Sequence, residues 1–541
     1  MLLTVITRDL LSWRLRSGRY IALLIAFFGM RVWVFGEAAT SGDGRLYIKE
    51  YRVFGAKWLD RRAVERAVYP YLGPERSKED VEGARTALEG AYHAAGYQTV
   101  AVQIPEQSDQ ALKHGIVALQ VIETTVGRLR VRGASCFLPS NIVKSAPSLR
   151  EGCVVDFNQV TQDIVALNQN PDRRVTPSLH PGVEPNTVDI DLEVKDALPL
   201  HGSFELNNRY GADTNPYRMN GAIRYDNLFQ LGHSAGLSFQ VAPEDVGEVN
   251  VFSGFYTARF SQLPALALML QGTKQNSNVS TLGGASVAGR GEYFGPHAVI
   301  TLPNGKEFYH SLNLGIDYKH FDQNLVFSDV ETVTPISYYP ISAAYSATWM
   351  GKEAVTEFTG VVNLHLRGMG SSQGQFDASR YDAQGNYIYF RGDLAHTHDL
   401  PWGLQLYGKV QGQISDQPLI NSEQFAAGGL DSVRGYLESV VLADNALCGA
   451  LELRSPSLGA WMGHRVDEWR FYVFTDGGVL SLRDPLPEQA ANFKLASYGI
   501  GSRVRFRDHF NGSFNLGIPL ISQGTIDVRD LLFTFRLWAD F

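Results

Sequence analysis

At 541 residues the chain is too long for one ordinary hydrophobic core, so two or more domains are expected. Its 53 glycines and 11% aromatic residues are high together, while charged residues stand at 19%, a turn-rich and aromatic-rich composition that points to a large β structure. A net charge of -8, with no long lysine or arginine block, excludes a general nucleic-acid binder.

In chain order the first feature is a targeting segment. Arg8, Arg14, Arg16 and Arg19 precede the apolar run 20–30, and the small residues Gly36, Ala38 and Ala39 follow. The run is about 11 residues, too short to span a bilayer, so residues 1–39 read as a cleaved signal peptide. No later stretch reaches about 18 apolar residues, which leaves no helical span.

Two units of the same kind come next. The first reads as strand 46–55, helix 61–72, helix 78–95, strand 99–104 and strand 115–123. Its second helix is well marked: Ser77 and Asp80 can cap its start, Val81, Ala84, Leu88, Ala91, Tyr92 and Ala95 form an apolar stripe, and Gly96 stops it. The second unit repeats the order with strand 127–133, helices 140–149 and 157–168, and strands 173–179 and 187–194. Asp156 is a fitting N-cap, and Asn170-Pro171 breaks the helix before it. Asp189 and Asp191 alternate on one strand and read as an exposed edge. Cys136 and Cys153 can form a disulfide in an exported protein, and their spacing does not match a zinc site.

From about Leu200 helical periodicity disappears. Segments near ten residues long alternate apolar with polar residues, as in 312–321 (Leu312, Leu314 and Ile316 against Asn313, Asp317 and Lys319) and 402–414 (Trp402, Leu406, Val410 and Ile414 against Gln405, Lys409 and Gln413). At roughly 20 residues per strand and connection, residues 200–541 hold about 16 strands. The last strand ends with Phe533, Phe535, Leu537, Ala539 and Phe541 on one face. In lipid such a sheet must close, because an open edge leaves backbone groups without partners.

Several chemical motifs fail on context. Gly232-His233-Ser234-Ala235-Gly236 matches a nucleophile elbow, but Leu237, Phe239 and Val241 follow in strand alternation where a helix is required. His396-Thr397-His398 lacks a completing carboxylate or cysteine, and Gly289-Arg290-Gly291 lacks the spacing of a phosphate loop. No catalytic constellation, metal site or cofactor motif survives.

Two stretches organise the rest. One is the glycine-rich run 428–436, with Val433, Arg434, Gly435 and Tyr436; the other is Phe474-Thr475-Asp476-Gly477-Gly478, at the end of an aromatic strand. On that strand Trp469, Phe471 and Val473 share one face, and Tyr472, Phe474, Asp476 and Gly478 the other. An inward Asp476 seeks a cation, and Arg434 on a flexible loop can supply it. In a water-filled lumen that pair contributes about 0–1 kcal/mol unless it is partly dehydrated, and its value lies in fixing the loop's position.

The two β-α-α-β-β units resemble tandem POTRA domains, and the terminal phenylalanine resembles the barrel-assembly signal of bacterial outer-membrane proteins. The whole layout resembles the TpsB-type transporters of two-partner secretion, the hemolysin activation/secretion proteins. Val433-Arg434-Gly435-Tyr436 is similar to that family's V-R-G-F/Y loop motif, and Phe474, Asp476 and Gly478 to its F-x-D-x-G wall motif. Residues 170–177 and 451–456 also look like family segments.

The resemblance implies α+β periplasmic POTRA domains at 45–124 and 126–197, then an all-β transmembrane barrel of about 16 antiparallel strands at 200–541. A loop around 428–440 would fold inward, with Arg434 and Asp476 as an ion pair. The implied function is capture of a dedicated unfolded TpsA-type exoprotein and its translocation to the cell surface without ATP, in the outer membrane of a Gram-negative bacterium. Implied partners are that cargo, outer-membrane lipid and the barrel-assembly machinery. The alternatives are a barrel-assembly insertase, which a longer POTRA array would favour, and a passive porin, which needs no peptide-binding modules. With only about half a dozen residues between Ala39 and the strand at Leu46, no pore-plugging helix is expected.

Overall fold

The computed structural model describes residues 45–541 apart from 169, 213, 261, 277–289, 328–329, 460–461 and 464, and for 323–334 the backbone alone. The expected signal and the question of a plug helix lie outside the described residues. The chain divides between Leu198 and Pro199 into two compact units.

In the first module of the N-terminal unit, Ile116–Ile122 runs parallel to Glu50–Phe54 and antiparallel to Ala101–Gln103. The helix Lys78–Ala94 buries Ala84, Leu88 and Tyr92 against this sheet. Its start carries a reciprocal cap: Ser77 N donates to Asp80 Oδ2 (2.8 Å), and Asp80 N to Ser77 Oγ (3.4 Å). Three departures from the sequence pattern have local causes. The helix from Arg61 closes at Val68 and continues as a 3₁₀ turn, Tyr69–Tyr71, because Pro70 offers no N–H. The strand 46–55 is two pieces, the first of which pairs with Gly73–Arg76. A short helix, Asp109–Lys113, lies in the connection read as loop.

In the second module Thr187–Asp196 is the central strand, parallel to Thr125–Arg132 and antiparallel to Arg173–Pro181. The edge reading of Asp189 and Asp191 is therefore wrong. Asp189 accepts from Arg128 N (3.0 Å), and Asp191 pairs with Arg132 at 3.0 Å. Asp156 caps Phe157–Leu167 through Asn158 N (2.9 Å). Cys136 and Cys153 are half-buried, and no disulfide forms among the described residues.

The second unit is a closed antiparallel barrel. Two of its strands are divided: one at Asp317, between Phe308–Ile316 and Tyr318–Phe327, and its neighbour at Tyr339-Pro340, between Val330–Tyr338 and Ile341–Met350. Counting each divided strand once gives 16. Pro340 explains the second division, since it cannot donate to a ladder. Alternation sorts the faces: in Val466–Ser481, Phe471 and Val473 are 44% and 53% exposed, while Tyr472 and Phe474 between and beyond them are 3% and 4%. The strand expected to begin at Trp402 begins at Gln405; Trp402 sits in the preceding turn at φ 64°. Ser234 lies within the strand His233–Val241, as its alternating neighbours require. Leu532–Asp540 pairs with Leu200–Asn207 to close the ring, and Phe541 extends the contact by exchanging backbone hydrogen bonds with Gly202 (2.7 and 3.0 Å).

Candidate functional site: a loop held inside the barrel

The connection between Gln405–Ser415 and Asn445–Arg454 turns inward instead of standing clear of the barrel rim. Its stem is a small hairpin, Phe425–Ala427 against Val441–Ala443, buried with Ala446, Cys448, Leu480 and Leu495 of the wall. The tip needs glycine. Gly428 and Gly429 have φ of +106° and +86°, and a Cβ on them would stand 2.3 Å from Leu437 O and 2.2 Å from the Glu438 carboxyl carbon. Ser432 then closes the turn, accepting from Gly428 N at 2.8 Å.

Arg434 lies beyond this turn and meets Asp476 three times. Its backbone N donates to Oδ2 (3.0 Å), its Nε to the same oxygen (2.7 Å) and its Nη2 to Oδ1 (2.7 Å). Its Nη1 reaches Glu452, which Arg454 (2.7 Å) and Arg503 (3.4 Å) also hold. The guanidinium lies over the Phe474 ring at 3.7 Å, an attraction to the ring's negative face. Arg434 and Asp476 are 6% and 4% exposed, so the pair is the dehydrated case and not the solvent-screened one. A fork-to-fork contact out of water is strongly held once formed, and removing one member leaves a buried charge behind.

The other motif residues pack the tip against the wall. Val433 is fully buried, and its methyl lies 3.5 Å from where a Cβ on Gly478 would be, with Cys448 Sγ on the other side at 2.8 Å. Gly435, at φ +86°, brings the backbone of the tip against Gly517. Tyr436 donates to Ile521 O (2.7 Å) and accepts from Ala496 N (3.2 Å).

Further anchors carry no sequence signal strong enough to find them. Glu423, fully buried at the base of the loop, accepts from Lys319 (2.6 Å), Tyr338 (2.6 Å) and Tyr389 (2.7 Å). Asp444 receives both arms of Arg380 (2.6 and 2.7 Å), just past the helix Gln373–Ser379. Arg209 meets Glu438 and Asp431. Glu452 stands inside the segment 451–456 singled out from the sequence, but nothing there marked it as a partner of Arg434. Each of these carboxylates is already engaged by cations or N–H and O–H donors, so the arrangement positions a loop and offers no set of open ligand atoms. Away from it, His396 and His398 stack on one strand with ring centres 5.9 Å apart, and His396 Nδ1 lies 2.8 Å from Thr356 Oγ1.

Comparison with known proteins sets this geometry in context. Haemolysin secretion/activation protein ShlB/FhaC/HecB matches residues 186–504, and the ShlB-type POTRA domain matches residues 46–124. The outer membrane transporter CdiB of Dickeya dadantii (strain 3937) is 20% identical over 469 residues, 80% of this chain and 76% of its own length. The heme/hemopexin transporter protein HuxB of Haemophilus influenzae (strain ATCC 51907 / DSM 11121 / KW20 / Rd) is 20% identical over 391 residues, 69% of this chain and 66% of its own. Among solved structures, CdiB from Escherichia coli shares the fold with a TM-score of 0.62 at 18% identity, covering 94% of this chain and 93% of that one. BamA from Haemophilus ducreyi lacking POTRA domains 1–3 does so with a TM-score of 0.57 at 15% identity, covering 92% and 100%.

Proposed function

The chain belongs to the haemolysin secretion/activation protein ShlB/FhaC/HecB family, and on that premise we propose that it captures one dedicated, unfolded exoprotein and conducts it through its barrel to the cell surface. It is an outer-membrane transporter of the TpsB type, with its POTRA region in the periplasm. In this reading residues 45–124 and 126–197 receive the cargo, and 200–541 form the pore. The loop around 428–440 is the gate, Arg434 and Asp476 fix its position, and Phe541 is the signal by which the barrel-assembly machinery inserts the chain among outer-membrane lipids.

The observation that best supports the reading is the buried Arg434–Asp476 contact on a loop occupying the lumen. A passive porin has no evident use for a POTRA region in front of the barrel. Movement without ATP follows from the compartment: the free energy would come from binding on one side and from folding of the cargo on the other. The test is co-expression with an exoprotein encoded by an adjacent gene. Release of that exoprotein into the medium, dependent on this chain, is the expected result. Retention in the periplasm beside a correctly inserted barrel would overturn the proposal.

A further inference from the structure

The barrel's first and last strands meet in a short seam. Their register runs over five pairs, from Ser203↔Asp540 to Asn207↔Arg536, and is extended at one end by the backbone exchange between Gly202 and Phe541. Past Asn207 the backbone N–H of Asn208 donates to Phe535 O (3.3 Å), and its side chain adds two bonds: Nδ2 donates to Phe533 O (2.8 Å), and Oδ1 accepts from Phe535 N (2.7 Å). On the inner face Arg536 holds Glu205 through two bonds (3.0 and 2.6 Å). Glu205 also accepts from Asn207 Nδ2 (2.7 Å), and Asn207 Oδ1 accepts from the backbone N of Arg209 (2.8 Å).

Arg209 then leaves the wall and grips the loop. Its Nε lies 2.7 Å from Glu438 Oε1, and its Nη2 lies 2.6 Å from Asp431 Oδ2 and 3.3 Å from Glu438 Oε2. Glu438 N donates to Tyr210 O at 3.0 Å, so backbone and side chain are tied together. The Arg209 and Glu438 side chains are 7% and 4% exposed, which leaves little water to replace either partner.

We propose that the seated loop tip latches the seam, with Arg209 as the positioning residue that couples them. Both carboxylates that Arg209 meets belong to the loop. When the tip leaves, Arg209 becomes a buried cation without its counter-charges and must turn toward water. The Asn207–Asn208 corner that holds the last strand moves with it. A seated loop and a closed seam therefore support each other, and the support is reciprocal. A cargo chain that displaces the loop also softens the wall at this short seam, and the bore can widen there. The coupling stands on geometry independent of secretion, so seam opening and cargo release are read separately.

The test is hydrogen exchange of the full-length protein, read by mass spectrometry on segments 200–209 and 532–541, with 354–365 on another part of the wall as control. Arg209→Gln and, separately, Glu438→Gln are expected to speed exchange of both seam segments about tenfold or more and to leave 354–365 unchanged. The double variant should match Arg209→Gln, since that change alone already breaks the Glu438 contact. Seam exchange at the wild-type rate in both variants overturns the proposal, as does acceleration spread evenly over all strands. If Arg209→Gln does not assemble, Glu438→Gln leaves the first strand intact and decides the matter. As an independent reading, cysteines at the register partners Ser203 and Asp540 should cross-link more slowly when Glu438→Gln is added; an unchanged rate counts against the latch.

Discussion

At Arg434 burial decides the energetics. A solvated loop arginine facing a wall aspartate contributes about 0–1 kcal/mol. Arg434 is instead enclosed by Asp476, Glu452 and Phe474, and the two carboxylates do not depend on it equally. Glu452 keeps Arg454 and Arg503 when Arg434 is removed, whereas Asp476 loses the backbone-anchored fork that engages both its oxygens. Breaking a buried pair at one end typically costs about 3–5 kcal/mol. Arg434→Ala is therefore expected to unseat the tip, and Arg434→Ala with Asp476→Ala to do little more than either alone. Cys448 provides a reporter, because it is buried beneath Val433. With Cys136 and Cys153 replaced by serine, maleimide labelling of Cys448 should be slow in the parent and fast in all three variants; equal rates would mean that the tip does not depend on this contact. The arginine and the aspartate were legible as residues, from a glycine-rich run and an alternating strand. Glu452 as their third member was not, because only the strand register that sets Ala450 opposite Asp476 brings its strand alongside.

Elements were legible wherever their period was carried by several side chains. The helix Lys78–Ala94 has its apolar stripe, its cap and its Gly96 stop, where φ is +105° and any Cβ would meet Asp156 Oδ1 at 2.5 Å. Ser77→Ala should lower the protection of this helix against hydrogen exchange by about 1 kcal/mol. The backbone N–H of Ser77 beside it holds the Asp80 carboxyl below its ordinary range. A carboxylate depressed in the fold stabilises above its unfolded pKa and ceases to do so as pH falls through the folded value. Asp80→Asn should accordingly weaken the helix at neutral pH and converge with the parent as pH falls through the depressed folded value; a difference independent of pH would remove the carboxylate from the explanation. Elements set by partners were less legible. Asp189 and Asp191 alternate in a way that suits an edge or a centre equally, and only pairing on both sides distinguishes the two. The division at Asp317 has no local signal, whereas the neighbouring division has Pro340.

On the scale of the molecule, alternation with a period of two established a large barrel because lipid demands one apolar face from every strand and closure of the whole. What alternation does not reveal is how the lumen is filled. Arg209 and Glu438 are 229 positions apart, and Glu423 depends on Lys319, Tyr338 and Tyr389 from three separate stretches of chain. These pairings join residues far apart in sequence, so a reading confined to local windows passes over them. Together they make the loop the element on which the wall converges: its base on Glu423 and Asp444, its tip on Asp476 and Arg209.

The central claim is that this loop is the gate of a protein-conducting pore and that Arg434 sets its position. It is tested most directly by measuring exoprotein released into the medium by the Arg434→Ala variant and the parent, at equal amounts of folded, outer-membrane-inserted barrel. Release reduced at least about tenfold, the rate equivalent of 1.4 kcal/mol, is the predicted result. Undiminished release from an equally assembled barrel would contradict it.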